Sequence, residues 1–281
     1  METLTLHASG LEFKALGSGP VNGIPVLALH GWLDNAASFN QLAPLFERCR
    51  VVSIDQRGHG HSEHVQQPYQ IWDGIPDVVG ILDHLRWPQA ILLGHSMGAA
   101  VATLTASAFP ERVQALWLIE GFGPWPDHAT ETPDRLRAAT ERLKRLPERP
   151  KRVYASIDEA IDARLAGAVA PISRHAAAQI VARGLTPVPD GYVWSSDPHL
   201  TLPTMARFDE AQIQSCISRL TMPISLVLGT TGIAKAADFL DARLALCPHA
   251  RVETFAGGHH LHLEGAEGAI ASWLESTVEH A

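Results

Sequence analysis

The stretch Ala90-Ile91-Leu92-Leu93-Gly94-His95-Ser96-Met97-Gly98-Ala99-Ala100-Val101-Ala102 passes from an apolar run, through a serine bracketed by two glycines, into a run of small residues. It reads as a buried strand, a sharp turn and a helix, with Ser96 at the apex. A turn that lifts one side chain out at the end of a strand strains its backbone by roughly 1–3 kcal/mol. Neighbours with side chains would clash there, which explains the flanking glycines. The pattern G-x-S-x-G is short, but its placement between strand and helix is the context that makes Ser96 a candidate nucleophile.

Outward from this turn, short apolar runs recur: Thr3 to His7, Leu11 to Leu16, Val26 to His30, Val51 to Asp55, Ala90 to Gly94, Ala115 to Glu120, Ile224 to Gly229 and Val252 to Phe255. They predict eight strands, the first two close enough for a hairpin. From Val26 onward they alternate with helical patterns near Ala37 to Phe46, Asp77 to Leu85, Met97 to Phe109, Ala236 to Leu246 and Glu267 to Glu279. Such alternation implies an α/β fold with a doubly wound, mostly parallel sheet. Between Trp125 and about Leu220 the strand pattern stops and charged amphipathic helices take over. Ser156-Ile157-Asp158-Glu159 is a capping box, and Ser173 and Gly184 bracket a further helix. The expected organisation is a core of residues 1–124 and 221–281, with a helical cap inserted at 125–220.

The chain has 281 residues, 46% of them hydrophobic and 19% charged, enough for one large α/β domain with an insertion. Its net charge of -8, with no local block of Lys or Arg, argues against nucleic acid and anionic membrane partners. Cys49, Cys216 and Cys247 form no C-x-x-C pair and no signal peptide is evident, so a cytoplasmic setting is expected. The stretch from Ala90 to Phe109 has the length of a membrane span but divides into strand and helix. No sequence feature fixes an oligomeric state.

A serine hydroxyl needs a base to take its proton. Gly257-Gly258-His259-His260-Leu261-His262-Leu263-Glu264 follows the last strand, and a histidine there can reach back over the sheet edge. His259, next to the glycine pair, is the expected base; His260 and His262 serve packing or the surface equally well. No second group with ligand spacing accompanies this cluster, so no metal and no cofactor is expected. Leu29-His30-Gly31-Trp32 ends the third strand at the same edge. The backbone N–H groups of Trp32 and Met97 are the expected oxyanion donors, the loss of one such donor costing about 3 kcal/mol. His30 reads as a hydrogen-bonded structural residue.

With these motifs in order, His30-Gly31-Trp32, Asp55 to Ser62 (DQRGHGHS), Gly94 to Gly98 and Gly257 to Glu264, the chain resembles the α/β-hydrolase superfamily. The segment His30 to Phe39 resembles its serine-hydrolase-like members in particular. The resemblance implies Ser96 as nucleophile, His259 as base, the Trp32 and Met97 amides as oxyanion hole, and a mainly structural role for Asp55, Arg57 and Gly58 to Gly60. It also exposes a departure. Members of the superfamily usually place an Asp after the seventh core strand, and here that place reads Leu228-Gly229-Thr230-Thr231-Gly232.

Another carboxylate must serve the histidine, because a base without its orienting partner holds the wrong tautomer. Glu120 ends the strand Ala115 to Ile119 at the same edge as Ser96 and is the expected acid. Its place resembles the acid position of those haloalkane dehalogenases that carry a triad glutamate after the sixth strand. Their nucleophile is a carboxylate where this chain has Ser96. Asp238, Asp34 or no acid at all are the alternatives. The expected substrate is a small or medium apolar carboxylic ester, with thioester, amide or carbon-carbon cleavage, or ligand sensing by an idle triad, as rivals. Trp125, where the chain enters the cap, is expected either to line the substrate pocket or to anchor the cap on the core.

Overall fold

The computed structural model describes residues 1–65, 67–146 and 150–278. One eight-stranded sheet organises it. Its strands are β1 (Glu2–Ala8), β2 (Leu11–Ser18), β3 (Ile24–Leu29), β4 (Cys49–Ile54), β5 (Ala90–His95), β6 (Val113–Ile119), β9 (Ile224–Gly229) and β10 (Arg251–Phe255). The spatial order is β1-β2-β4-β3-β5-β6-β9-β10, with β2 antiparallel to both neighbours and all later pairs parallel. The eight strands read from the sequence are these eight.

Alternation along the central strands explains the two-sided core. Leu92, Leu116 and Leu118 face one way, towards α1 (Gly74–His84) and α2 (Met97–Ala108). Ile91, Leu93, Trp117 and Ile119 face the other, where the C-terminal helix α7 (Glu267–Val278) covers them with Ile270 and Leu274. A sheet buried on both faces needs such continuous apolar strands. Among the described residues no helix is long and apolar enough to cross a membrane.

Two local expectations fail. The segment Ala37 to Phe46 is two short 3-10 turns, Ala36–Phe39 and Ala43–Leu45, rather than an α-helix. The Asn35 side chain accepts from the Ala37 N–H and starts the first turn, and Pro44 cannot donate within a continuous helix. The second miss is a hairpin of β7 (Leu185–Val188) and β8 (Gly191–Trp194) inside the predicted all-helical segment. Pro189-Asp190-Gly191 is its turn signal, hidden by the two prolines that interrupt the alternation.

Between β6 and β9 the chain also builds α3 (Thr132–Arg145), α4 (Ile157–Ala166), α5 (Arg174–Gly184) and α6 (Glu210–Ile217). Tyr154, Ile161, Ala177 and Val181 form a small separate apolar cluster there. Ile213 and Ile217 of α6 instead join the apolar layer of the sheet. Charged side chains tie α4 and α5 to the sheet's loops. Arg183 grips the fully buried Asp55 with both Nε and Nη2, and Arg164 Nη2 donates to Asp34 at 2.6 Å. Removing one partner of such a buried pair costs about 3–5 kcal/mol.

Candidate active site

Ser96 sits where β5 meets α2, in a left-handed conformation with φ 52°. Its N–H donates to the Ile119 carbonyl at the end of the neighbouring β6. The glycines around it make close approach possible: a Cβ on Gly98 would overlap the Leu29 carbonyl at the end of β3, and one on Gly94 would meet Ala99 of α2. The helix is thereby drawn against two strand ends, with Ser96 partly exposed above them.

Glu120 follows β6 directly, also at φ 52°, and its N–H donates to the Val227 carbonyl of β9. It is 2% exposed. One carboxylate oxygen, Oε1, accepts from the Gly229 N–H at 2.7 Å. The other, Oε2, accepts from the Ala234 N–H at 3.2 Å and stands 3.2 Å from Nδ1 of His259. The chain from the end of β9 onward, which carries no carboxylate of its own before Asp238, thus supplies amides to the carboxylate that follows β6. It also supplies room, because a Cβ on Gly232 would overlap the Glu120 carboxylate. Asp238 is exposed. Asp34 is buried but answers to Arg164 and His260 rather than to His259.

An imidazole that donates from Nδ1 to a carboxylate presents Nε2 as its proton acceptor. His259 is 6% exposed and its ring centroid lies 4.8 Å from that of His95, the residue before Ser96. The contact goes further: His95 Nε2 donates to the His259 carbonyl at 2.9 Å, so the elbow holds the backbone of the histidine loop. That role was not read from the sequence. The x position of G-x-S-x-G, here an imidazole pointing inward from a buried strand, was its only signal.

The remaining histidines of the loop turn inward. His262 stands 3.1 Å from the Ser38 hydroxyl, and His260 Nε2 lies 3.6 Å from Asp34. Burial pushes the His262 imidazole down to about 3, and His95 well below the usual histidine range, with neighbouring histidines adding to both. Asp34 is held well below the usual carboxylate range: burial acts to raise it but is outweighed by the hydrogen bond and charge of His260, with Arg164 and His95 assisting. His30 accepts at Nε2 from the Gln56 N–H and donates from Nδ1 to the Gly31 carbonyl, a closed structural arrangement. Among the described residues no group of three metal-ligating side chains is disposed to hold a cation.

Trp32 and Met97 line one small cavity of about 140 Å³ with Leu29, Ile71, Val101 and Leu200. Met97 opens α2, so its N–H has no carbonyl partner within the helix. Leu33 follows Trp32 at φ 60° and lines a second, larger cavity of about 390 Å³ against α3 and α4. Leu202 borders both. Trp125 lines neither; it is half-exposed and packs edge-on against Phe239.

A doubly wound sheet with a strained serine between β5 and α2 and a carboxylate-bound histidine after the last strand defines a class, and similarity to known proteins agrees. A family model described as alpha/beta hydrolase fold matches residues 24–165. The chain belongs to the α/β-hydrolase family. It is 30% identical to a serine hydrolase-like protein of Danio rerio over 95% of this chain and 85% of that one. It is 29% identical to 2-(acetamidomethylene)succinate hydrolase of Mesorhizobium japonicum over 89% of this chain and 84% of the other. A crystal structure of a hypothetical protein from Pseudomonas aeruginosa PAO1 is similar with a TM-score of 0.94 and 40% identity, covering 99% of this chain and all of that one.

Proposed function

We propose that this chain is a carboxylesterase-like serine hydrolase that works through an acyl-enzyme. The observation that carries the reading is the Glu120–His259 contact of 3.2 Å, at the sheet edge where Ser96 stands. His259 Nε2 takes the Ser96 proton as Oγ bonds to the ester carbonyl carbon. The Trp32 and Met97 N–H groups receive the charge that develops on the carbonyl oxygen. The carbon-oxygen bond to the alcohol then breaks, and His259 returns its proton to the departing oxygen. A water, activated by the same imidazole, adds to the acyl carbon and frees Ser96 and a carboxylic acid. Glu120 fixes the tautomer of His259 and stabilises the imidazolium that forms. No cofactor enters these steps, and the partner is a small-molecule ester.

The small cavity beside Met97 and Trp32, where Leu29, Ile71, Val101 and Leu200 stand among polar neighbours such as Gln56 and Tyr69, takes the acyl group. Its size favours short chains. A panel of p-nitrophenyl esters from acetyl to octanoyl tests the reading: kcat/KM peaks at two to four acyl carbons, about tenfold or more above octanoyl. Labelling by an organophosphonate without turnover of any ester, thioester or amide in such a panel would favour a ligand sensor instead.

A further inference from the structure

The larger cavity has a charge that the ester reading does not require. Five cations border it, Arg142, Arg145, Lys151, Arg152 and Arg164, against one carboxylate, Asp197. In a chain of net charge -8 this is a marked local reversal. Three of the five are engaged. Arg164 pairs with Asp34, Arg152 pairs with Glu159, and Lys151 Nζ donates to the Trp194 and Ser196 carbonyls at 2.8 and 2.9 Å. Asp197 is engaged too, accepting from the Tyr69 hydroxyl at 2.8 Å and standing 2.7 Å from the His199 ring.

Arg142 and Arg145 remain, with no ion pair to a carboxylate among the described residues. Three positions apart in the last turn of α3, they share one face. Cations in a last helical turn complement the helix dipole, but Lys144 in the same turn does so without lining the cavity. The dipole accounts for a basic turn and not for which two members border the cavity. Around them the wall is apolar, with Leu33, Leu146, Trp194 and Leu202.

We propose that the substrate is an ester whose leaving-group side ends in an anion, a carboxylate or a phosphate monoester, seated against Arg142 and Arg145. The proposal rests on the ester-hydrolase reading for its orientation. With the acyl group in the small cavity and the carbonyl beside Met97, the leaving group passes the Trp32–Leu33 step into the large one. Planar guanidinium groups suit both anions, since each presents paired donors to paired oxygens.

The test uses acetate esters of 4-hydroxyphenylalkanoic acids with one to four methylenes, each against its neutral carboxamide, with the matched alkyl phosphate monoesters as a third arm. Binding is measured calorimetrically on Ser96→Ala, which needs no turnover. At one or more lengths the acid or the phosphate binds about tenfold or more tighter than the amide, and rising salt erodes the difference. Comparison of the two anionic arms identifies which anion is preferred. In Ser96→Ala/Arg142→Gln/Arg145→Gln the preference collapses to within twofold while thermal unfolding shows the chain still folded. Equal binding of acid, phosphate and amide at every length overturns the proposal, as does a preference that survives both arginine substitutions. Anion-selective binding with no hydrolysis by the wild type would leave the anion site standing and sink the esterase reading.

Discussion

Glu120 and His259 are 139 residues apart in the chain and their side chains meet at 3.2 Å, Oε2 to Nδ1. The sheet order explains this, because β6 lies between β5 and β9, and β10 follows β9. A carboxylate after β6 therefore projects into the space that a carboxylate after β9 would fill. If that contact orients the imidazole, Glu120→Gln lowers kcat by about 10²–10⁴ while KM changes little. A near wild-type kcat in a folded variant would reject the assignment.

Gly232 yields a steric version of the same prediction. Because a Cβ there would overlap the carboxylate of Glu120, Gly232→Ala pushes that group off His259. The expected result is a loss in kcat of tenfold or more, with about 1–3 kcal/mol of stability lost to overpacking. Full activity in this variant would show that the carboxylate has room to spare.

His95 anchors the carbonyl of His259 from inside the elbow. Replacing it with Leu leaves that acceptor without its donor, at a cost of about 1–3 kcal/mol, and frees the loop that carries His259. The midpoint of chemical denaturation and kcat should both fall. His95→Asn, which keeps a donor, should recover part of each.

Acid should destabilise the fold well above the pH at which carboxylates protonate. His59 and His262 are both pushed down to about 3, chiefly by burial. Unfolded, each takes a proton near the ordinary value of 6.5, so below that pH the unfolded state binds more protons than the folded one. Stability is therefore full above about pH 6.5 and falls as pH drops towards 3, by up to about 1.4 kcal/mol per pH unit for each histidine. Urea unfolding between pH 7.5 and 4.5 measures this. A flat profile would mean that these rings are already exposed or already charged.

Much of this architecture is legible because it rests on local pattern. Eight apolar runs, the glycine-bracketed Ser96 and the Gly257-Gly258-His259 loop each carry their signal in adjacent residues. Glu120 was readable by a longer route, from the missing carboxylate after Gly229 and the strand end before Gly121. Its dependence on Gly229 and Ala234 amides was not, since a backbone donor leaves no mark in a sequence. The inward role of His95 was equally silent, because one buried imidazole looks like another until its partner is known. The cations around the large cavity come from α3, α4 and the segment between them. Four of them, Arg142, Arg145, Lys151 and Arg152, fall within residues 142–152, a local basic run that corrects the expectation of none, and folding adds Arg164 to the same wall.

Catalysis as proposed requires Ser96 to be the nucleophile that His259 and Glu120 activate. Intact-mass labelling with an organophosphonate, followed by peptide mapping, measures that directly. The wild type should gain one adduct on the Ser96 peptide, Glu120→Gln should gain it about 10² times more slowly, and Ser96→Ala should gain none. An adduct that persists in Ser96→Ala, or maps to another residue in the wild type, would contradict it.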